Sequence, residues 1–280
     1  IRRGECALYT AEIYSVLGRA LLSREYPADA IRDAWHNVCF MHFHDSMGGC
    51  CTRNAHEGVL LMGKEACSVA ARLENNALQS LSWAIDTHDT AGYPIIVFNP
   101  HPWEITETLH VEKQIAGMTT EDGTPIPVQH VYSQTESCGG RRDTLFRVTV
   151  PAMGWATYLM SEEAVENVES SVTASGRTME NEYYRVKFEM HTGHIVEIYD
   201  KRKEKNILSG KAAVPVVIDE YEHDTWSHAR NFFTKEIGVF TDATVKVVEN
   251  GPVRATIKVT NHYGNSTLTQ YFSLTAGEEN

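Results

Sequence analysis

A short segment around residue 44 holds the side chains best suited to metal or proton chemistry. It spans residues 41–50 and reads MHFHDSMGGC. On a continuous helix, His42 and His44 would point about 200° apart and could not hold one ion. At a helix end, His44 and Asp45 can face a cleft, the imidazole as a metal ligand and the carboxylate as a hydrogen-bond acceptor. Zinc takes three or four protein ligands, so spacing alone favours a polar helix end, where the dipole favours histidine.

Three other groups of polar residues are weaker candidates. Cys50 or Cys51 with His56 would supply a thiol and a base, but no orienting third group is identified. Residues 191–194, HTGH, lie between two candidate strands and are typical of a turn. Residues 223–228, HDTWSH, could line a sugar site through their tryptophan and aspartate. A surface loop anchored by the tryptophan is the preferred interpretation there.

The elements that position the first segment are helical. Apolar residues recur with the 3.6-residue period of an amphipathic helix over Glu5–Leu22. Pro27 suits the first turn of a second helix, which we expect to run to about His42. Residues 52–85 alternate apolar steps of three and four, as in helices packed side by side. We therefore predict that residues 1–88 form a helical bundle.

Beyond the bundle the composition changes to short β-rich runs. An apolar run at 95–98 stops at an Asn-Pro turn, and further candidate strands alternate with turn residues. We therefore predict that residues 89–160 form a small antiparallel β-domain and that residues 161–177 form a linker. The candidate strands of residues 178–280 indicate the first part of a large β-sandwich. The predicted fold class is multidomain α+β, an antiparallel helical bundle followed by all-β domains.

Composition limits the classes of function. The chain has 280 residues, of which 42% are hydrophobic and 22% charged, as in folded proteins. The 25 Lys and Arg against 37 Asp and Glu give a formal charge of −12, which argues against nucleic acid and anionic membranes as partners. The sequence has neither a glycine-rich phosphate loop nor about 18 consecutive apolar residues. Sparse cysteines and the lack of a signal segment favour a cytoplasmic location.

Five segments match, in order, the motifs of one known family. They are residues 35–50 with FHDSMGGC, PIIVFNP at 94–100 with Trp103, VPAMGW at 150–155, MENEYY at 179–184 with GHI at 193–195 and YDK at 199–201, and the stretch 219–226. Together they resemble glycoside hydrolase family 38, the α-mannosidases. The first segment resembles the His-Asp motif after the catalytic barrel, in the form of the bacterial branch that includes mannosylglycerate hydrolases.

The resemblance implies a zinc-dependent retaining α-mannosidase that acts on mannose-containing oligosaccharides or glycosides. It implies that His44 is a Zn²⁺ ligand and that Asp45 contacts a substrate hydroxyl or orients the ligand. The family's N-terminal barrel carries the other zinc ligands, in an H-x-D motif, and the nucleophile and the acid/base residue. No H-x-D precedes residue 44 in this sequence. We therefore expect a middle and C-terminal fragment that neither binds zinc tightly nor hydrolyses mannosides without the barrel as its partner.

A non-catalytic carbohydrate-binding or scaffolding protein is the alternative function. In that case Trp226 and its neighbours would contact the sugar. The sequence leaves the linkage specificity and the oligomeric state, a homo-oligomer included, open.

Overall fold

The computed structural model describes residues 1–88, 90, 92–133, 142–164, 170–219 and 234–279. Helices occupy the N-terminal part, and two groups of antiparallel strands follow. This architecture confirms the predicted multidomain α+β fold class. Among the described residues, no helix combines the length and the apolar composition needed to cross a bilayer.

Four helices form the N-terminal part. They are α1 (Arg2–Leu22), α2 (Ala28–Met41), α3 (His44–Met47) and α4 (Arg53–Trp83). With 31 residues, α4 is about 46 Å long and packs along both α1 and α2. Small and apolar side chains dominate the stripe where the helices meet, so their axes can approach closely. The buried members include Leu8, Ala11, Ile31, Val38, Ala66 and Ala70.

Seven strands lie within the described residues of the small β-region. They are β1 (Tyr93–Phe98), β2 (Ile105–Val111), β3 (Gly117–Thr120), β4 (Pro125–Ile126), β5 (Val128–Tyr132), β6 (Arg142–Val150) and β7 (Trp155–Ser161). Two sheets result, with the strand orders β1-β7-β3-β4 and β2-β6-β5. Met118 and Tyr158 of one sheet and Phe146 of the other are buried in one shared core.

Asn99 joins two of the sequence motifs inside this region. Its side chain is buried, and its Nδ2 donates to the carbonyl groups of Trp103 at 2.7 Å, Pro151 at 3.0 Å and Val150 at 3.2 Å. Its Oδ1 accepts from the backbone N–H of His101 at 2.9 Å. The Asn-Pro turn after β1 is therefore fastened to the end of β6.

In the C-terminal region, the part of the chain that the structure describes contains ten further strands. They are β8 (Thr173–Ser175), β9 (Thr178–Glu180), β10 (Tyr184–Phe188), β11 (Ile195–Asp200), β12 (Lys205–Asn206), β13 (Val216–Ile218), β14 (Glu236–Val239), β15 (Thr241–Asn250), β16 (Arg254–Tyr263) and β17 (Ser266–Thr275). The main sheets are β12-β11-β10-β9-β8 and β15-β16-β17, which share a core that contains Phe188 and Ile257.

The segment expected to be a linker, 161–177, is partly structured. β7 extends to Ser161, and β8 pairs with β9 across a tight turn. Val172 and Ala174 are buried in the core of the C-terminal region. Because β8 has only three residues, it shows no periodic pattern that the sequence could reveal.

The helices and the small β-region meet at an apolar junction. The rings of Tyr14 and Phe98 contact edge to face, with centroids 5.9 Å apart. Leu81 and Ala77 of α4 complete the buried cluster. Beside it lies a cavity of about 460 Å³ lined mainly by apolar side chains.

The small β-region and the C-terminal region meet at a polar junction, which also buries a small apolar cluster of Val131, Leu145 and Val253. The buried side chain of Gln129 accepts from the backbone N–H groups of Val253 at 3.0 Å and Arg254 at 2.7 Å. Its Nε2 donates to the carbonyl group of Arg254 at 2.9 Å. Arg147 also donates to the carbonyl group of Ala276. These bonds fix the turn between β15 and β16 against the small β-region.

Candidate functional site

The helix that leads to the candidate site ends before His44. α2 ends at Met41, and the backbone N–H of His42 bonds to the carbonyl group of Cys39. The ring of His42 faces back, with Nδ1 2.8 Å from Val38 O and Nε2 3.0 Å from Glu5 Oε1. His42 therefore joins α2 to α1 and is not directed at the candidate site.

His44 begins a new, single-turn helix. Phe43 has extended dihedral angles, φ −56° and ψ 134°, which separate α3 from α2. The two histidines therefore do not share one continuous helix, in line with the expected end of the second helix at about His42. The reason is local: the carbonyl groups of Cys39 and Phe40 accept from the N–H groups of His42 and Phe43, which closes the last turn of α2 and lets the chain change direction at Phe43.

The His44 side chain is open to solvent. It is 77% exposed, and that of Asp45 is 42% exposed. Nε2 of His44 lies 3.5 Å from Oδ1 of Asp45, and the Phe43 ring packs against the imidazole at a centroid distance of 4.3 Å. A carboxylate and an aromatic ring thus restrict an imidazole that remains accessible to a ligand.

Uncovered apolar side chains surround this imidazole along the chain. Phe40 is 57% exposed, Phe43 49% and Met47 61%. Where such side chains form one patch, they typically mark a place where another protein surface packs. The end of α2 and α3 therefore combine a potential ligand with a surface suited to contact.

His44 and Asp45 offer the kinds of atoms that bind zinc, but they are too few to form a complete zinc site. Imidazole nitrogen and carboxylate oxygen are both zinc ligands, and a zinc site takes at least three from the protein. Among the described residues, no group of three or more His, Cys, Asp and Glu side chains is placed to hold a metal ion. His44 and Asp45 could therefore supply only part of a metal site.

The other sequence candidates have different outcomes. The HTGH segment is a turn, as predicted: Glu189 accepts from the N–H groups of His191 and Thr192 and from the Thr192 hydroxyl. The hydrogen bond from the Thr192 hydroxyl, with those from the backbone, lowers the pKa of Glu189 to about 2. Cys50 Sγ donates to the carbonyl group of Gly48 at 3.6 Å. The HDTWSH segment, 223–228, lies outside the described residues.

A family model matches the C-terminal region. Residues 179–280 match the model described as the C-terminal domain of glycosyl hydrolases family 38. The C-terminal region is therefore similar to the corresponding domain of that family. The match begins at the motif of residues 179–184, so it confirms the resemblance inferred from the sequence.

Two solved structures from Enterococcus faecalis share the fold of this chain. One, an alpha-mannosidase from strain V583, has a TM-score of 0.70 at 20% identity over 92% of this chain and 34% of its own. The other, described as a protein in the glycosyl hydrolase family 38, has a TM-score of 0.71 at 20% identity over 92% and 35%. The chain thus spans about a third of the length of either structure. No curated protein matches the sequence.

Proposed function

We propose that this chain is the middle and C-terminal part of a zinc-dependent retaining α-mannosidase, and that His44 is one of its zinc ligands. The observation that carries the proposal is the exposed His44–Asp45 pair within the motif that resembles the family's His-Asp segment. The family match of residues 179–280 and the shared fold over 92% of the chain support it.

The two residues would have different roles. Nε2 of His44 faces Asp45, which leaves the Nδ1 lone pair for the metal. Asp45 would orient the imidazole or accept a hydrogen bond from a sugar hydroxyl. Phe43 limits the rotation of the ring by packing against it. A bound zinc ion would act as a Lewis acid that holds and polarises sugar oxygen atoms.

The remaining machinery would come from the N-terminal barrel of the whole protein. Retention requires two carboxyl groups about 5–5.5 Å apart on either side of the glycosidic bond. We assign neither to this chain. The exposed apolar side chains Phe40, Phe43 and Met47 would pack against the barrel and bring His44 to the shared metal site.

The test supplies the barrel as a separate polypeptide. The chain is co-expressed with the family's barrel domain, and the complex is assayed with an aryl α-mannoside, with and without a chelator. We expect chelator-sensitive hydrolysis, and we expect His44→Ala to weaken zinc binding by about 100-fold or more. Asp45→Asn should weaken it by about 10- to 100-fold, as for residues that orient a ligand.

His36→Ala is the matched control, because His36 is an exposed histidine of α2, eight positions earlier in the chain. It should leave both zinc content and hydrolysis unchanged. A folded complex whose His44→Ala variant keeps its zinc and its activity would exclude the proposed role of His44.

A further inference from the structure

A second site candidate lies in the small β-region, away from His44. A cavity of about 580 Å³ opens between the two sheets, where β1 begins and β7 ends. The loop between β2 and β3 lines one side, and His130 of β5 lines the other. The volume is within the range of about 300–1,000 Å³ that is typical of small-molecule sites.

The loop that lines the cavity is held in one conformation. The hydroxyl group of the fully buried Thr144 donates to the carbonyl group of Lys113 at 2.7 Å and accepts from the N–H of Ile115 at 2.9 Å. Nε2 of His130 donates to the carbonyl group of Ile115 at 2.8 Å. A ligand would therefore meet a wall that is already formed, which lowers the entropic cost of binding.

Tyr93 is placed at the mouth of the cavity by a glycine. Gly92 has φ +128°, and a Cβ there would lie 2.8 Å from the carbonyl oxygen of Met160. Only glycine allows this approach, and it directs the chain into β1 beside the end of β7. The next residue, Tyr93, is 59% exposed. Its ring is therefore available to a ligand.

The chemistry of the lining suits a neutral ligand with many hydroxyl groups. Lys113 contributes an ammonium group, 6.0 Å from the centroid of the Tyr93 ring, and Glu162 contributes a carboxylate. These two formal charges cancel, which disfavours phosphates and other strongly charged molecules. The polar lining groups can both donate and accept hydrogen bonds around an aromatic face. They are Tyr93, Lys113, Gln114, His130, Ser161 and Glu162.

We propose that this cavity binds a neutral saccharide. One sugar ring stacks its C–H face on Tyr93, and Lys113, Gln114 and Glu162 bond to its hydroxyl groups. The site shares no residue with the segment around His44, so it does not depend on the proposed zinc role. It would hold a saccharide on this chain even without catalysis.

The experiment measures saccharide binding to the full 280-residue chain in the presence of a chelator. Mannotriose and maltotriose are titrated by calorimetry and saturation-transfer NMR. We expect at least one of them to bind at millimolar concentration. Tyr93→Ala and Lys113→Ala should each weaken that binding by about tenfold. Tyr93→Phe should retain it, because the aromatic face is kept.

Tyr132→Ala is the matched control, since Tyr132 is an exposed tyrosine of the same region that does not line the cavity. The affinity of the Tyr132→Ala variant for the saccharide should equal that of the unchanged chain. If Tyr93→Ala does not fold, Lys113→Ala at the exposed loop position decides the outcome. Failure of both saccharides to bind overturns the proposal, and so does unchanged binding by a folded Tyr93→Ala or Lys113→Ala variant. Binding of inorganic phosphate instead of either saccharide would also overturn the proposal.

Discussion

The two junctions of this chain differ in chemistry. The helices contact the small β-region through apolar side chains, Tyr14 and Phe98 among them, beside a cavity of about 460 Å³. The small β-region contacts the C-terminal region through the hydrogen bonds of Gln129 to the backbone of Val253 and Arg254, beside a small apolar cluster of Val131, Leu145 and Val253. Apolar contact has no preferred direction, whereas hydrogen bonds have narrow geometry. The first junction can therefore adjust, and the second is fixed in register.

We expect the largest change in the free energy of unfolding for a substitution at the polar junction. Gln129→Leu keeps the approximate volume but leaves two backbone N–H groups and one carbonyl group without their partner. Unsatisfied buried groups are costly, so we expect the free energy of unfolding to fall by about 3 kcal/mol. Urea denaturation measures the change.

Gln79→Leu is the control for that substitution, because Gln79 is an exposed glutamine on α4. It should change the free energy of unfolding by less than about 0.5 kcal/mol. Equal effects of the two variants would show that the hydrogen bonds of Gln129 do not stabilise the junction.

A smaller effect is expected at the apolar junction. Phe98→Ala removes the ring that contacts Tyr14, but Phe98 is half-buried and already borders a cavity. We expect the free energy of unfolding to fall by about 2 kcal/mol, below the usual range for a fully buried phenylalanine. Phe98→Leu should cost less than Phe98→Ala, because it keeps most of the apolar contact. A larger loss at Phe98 than at Gln129 would show that the apolar junction contributes more to stability than the polar one.

The smallest effect depends on pH. Burial tends to raise the pKa of Glu249, but hydrogen bonds from Arg254 and Thr256 outweigh it, so the pKa lies below its ordinary value of 4.5. The ionised carboxylate thus stabilises the folded state above about pH 4.5, and this contribution is lost as the pH falls through the lowered pKa. Glu249→Gln should lower the free energy of unfolding by about 1 kcal/mol at pH 7 and by less at pH 3.

Glu107→Gln serves as the comparison, since it makes the same change of charge at an exposed position of β2. Denaturation curves at the two pH values measure both variants. A Glu249→Gln effect that is equal at pH 7 and pH 3 would contradict the link between stability and the ionised carboxylate.

The long elements could be predicted from the sequence, and the shortest could not. The spacing of apolar residues gave the three long helices to within a few residues, because each buries one continuous stripe. β8 and β12 have three and two residues, too few for any period to show. α3 was missed for the same reason, and with it the change of direction at Phe43.

The candidate sites show a similar division. His44 and Asp45 could be singled out because they are adjacent in one recognisable motif. The cavity at Tyr93 could not, because its lining comes from two sheets and residues as distant as Tyr93 and Glu162. Likewise, Gln129 and Arg254 are 125 positions apart, and only the fold brings them together.

The bonds of Gln129 involve only main-chain atoms of residues 253 and 254, so these bonds by themselves do not require particular side chains at the two positions. Position 251 is the exception, because a Cβ on Gly251 would lie 2.6 Å from the Gln129 side chain. In evolutionary terms, we expect Gln129 and Gly251 to be conserved together among related proteins, because the two residues contact each other although they are far apart in the chain.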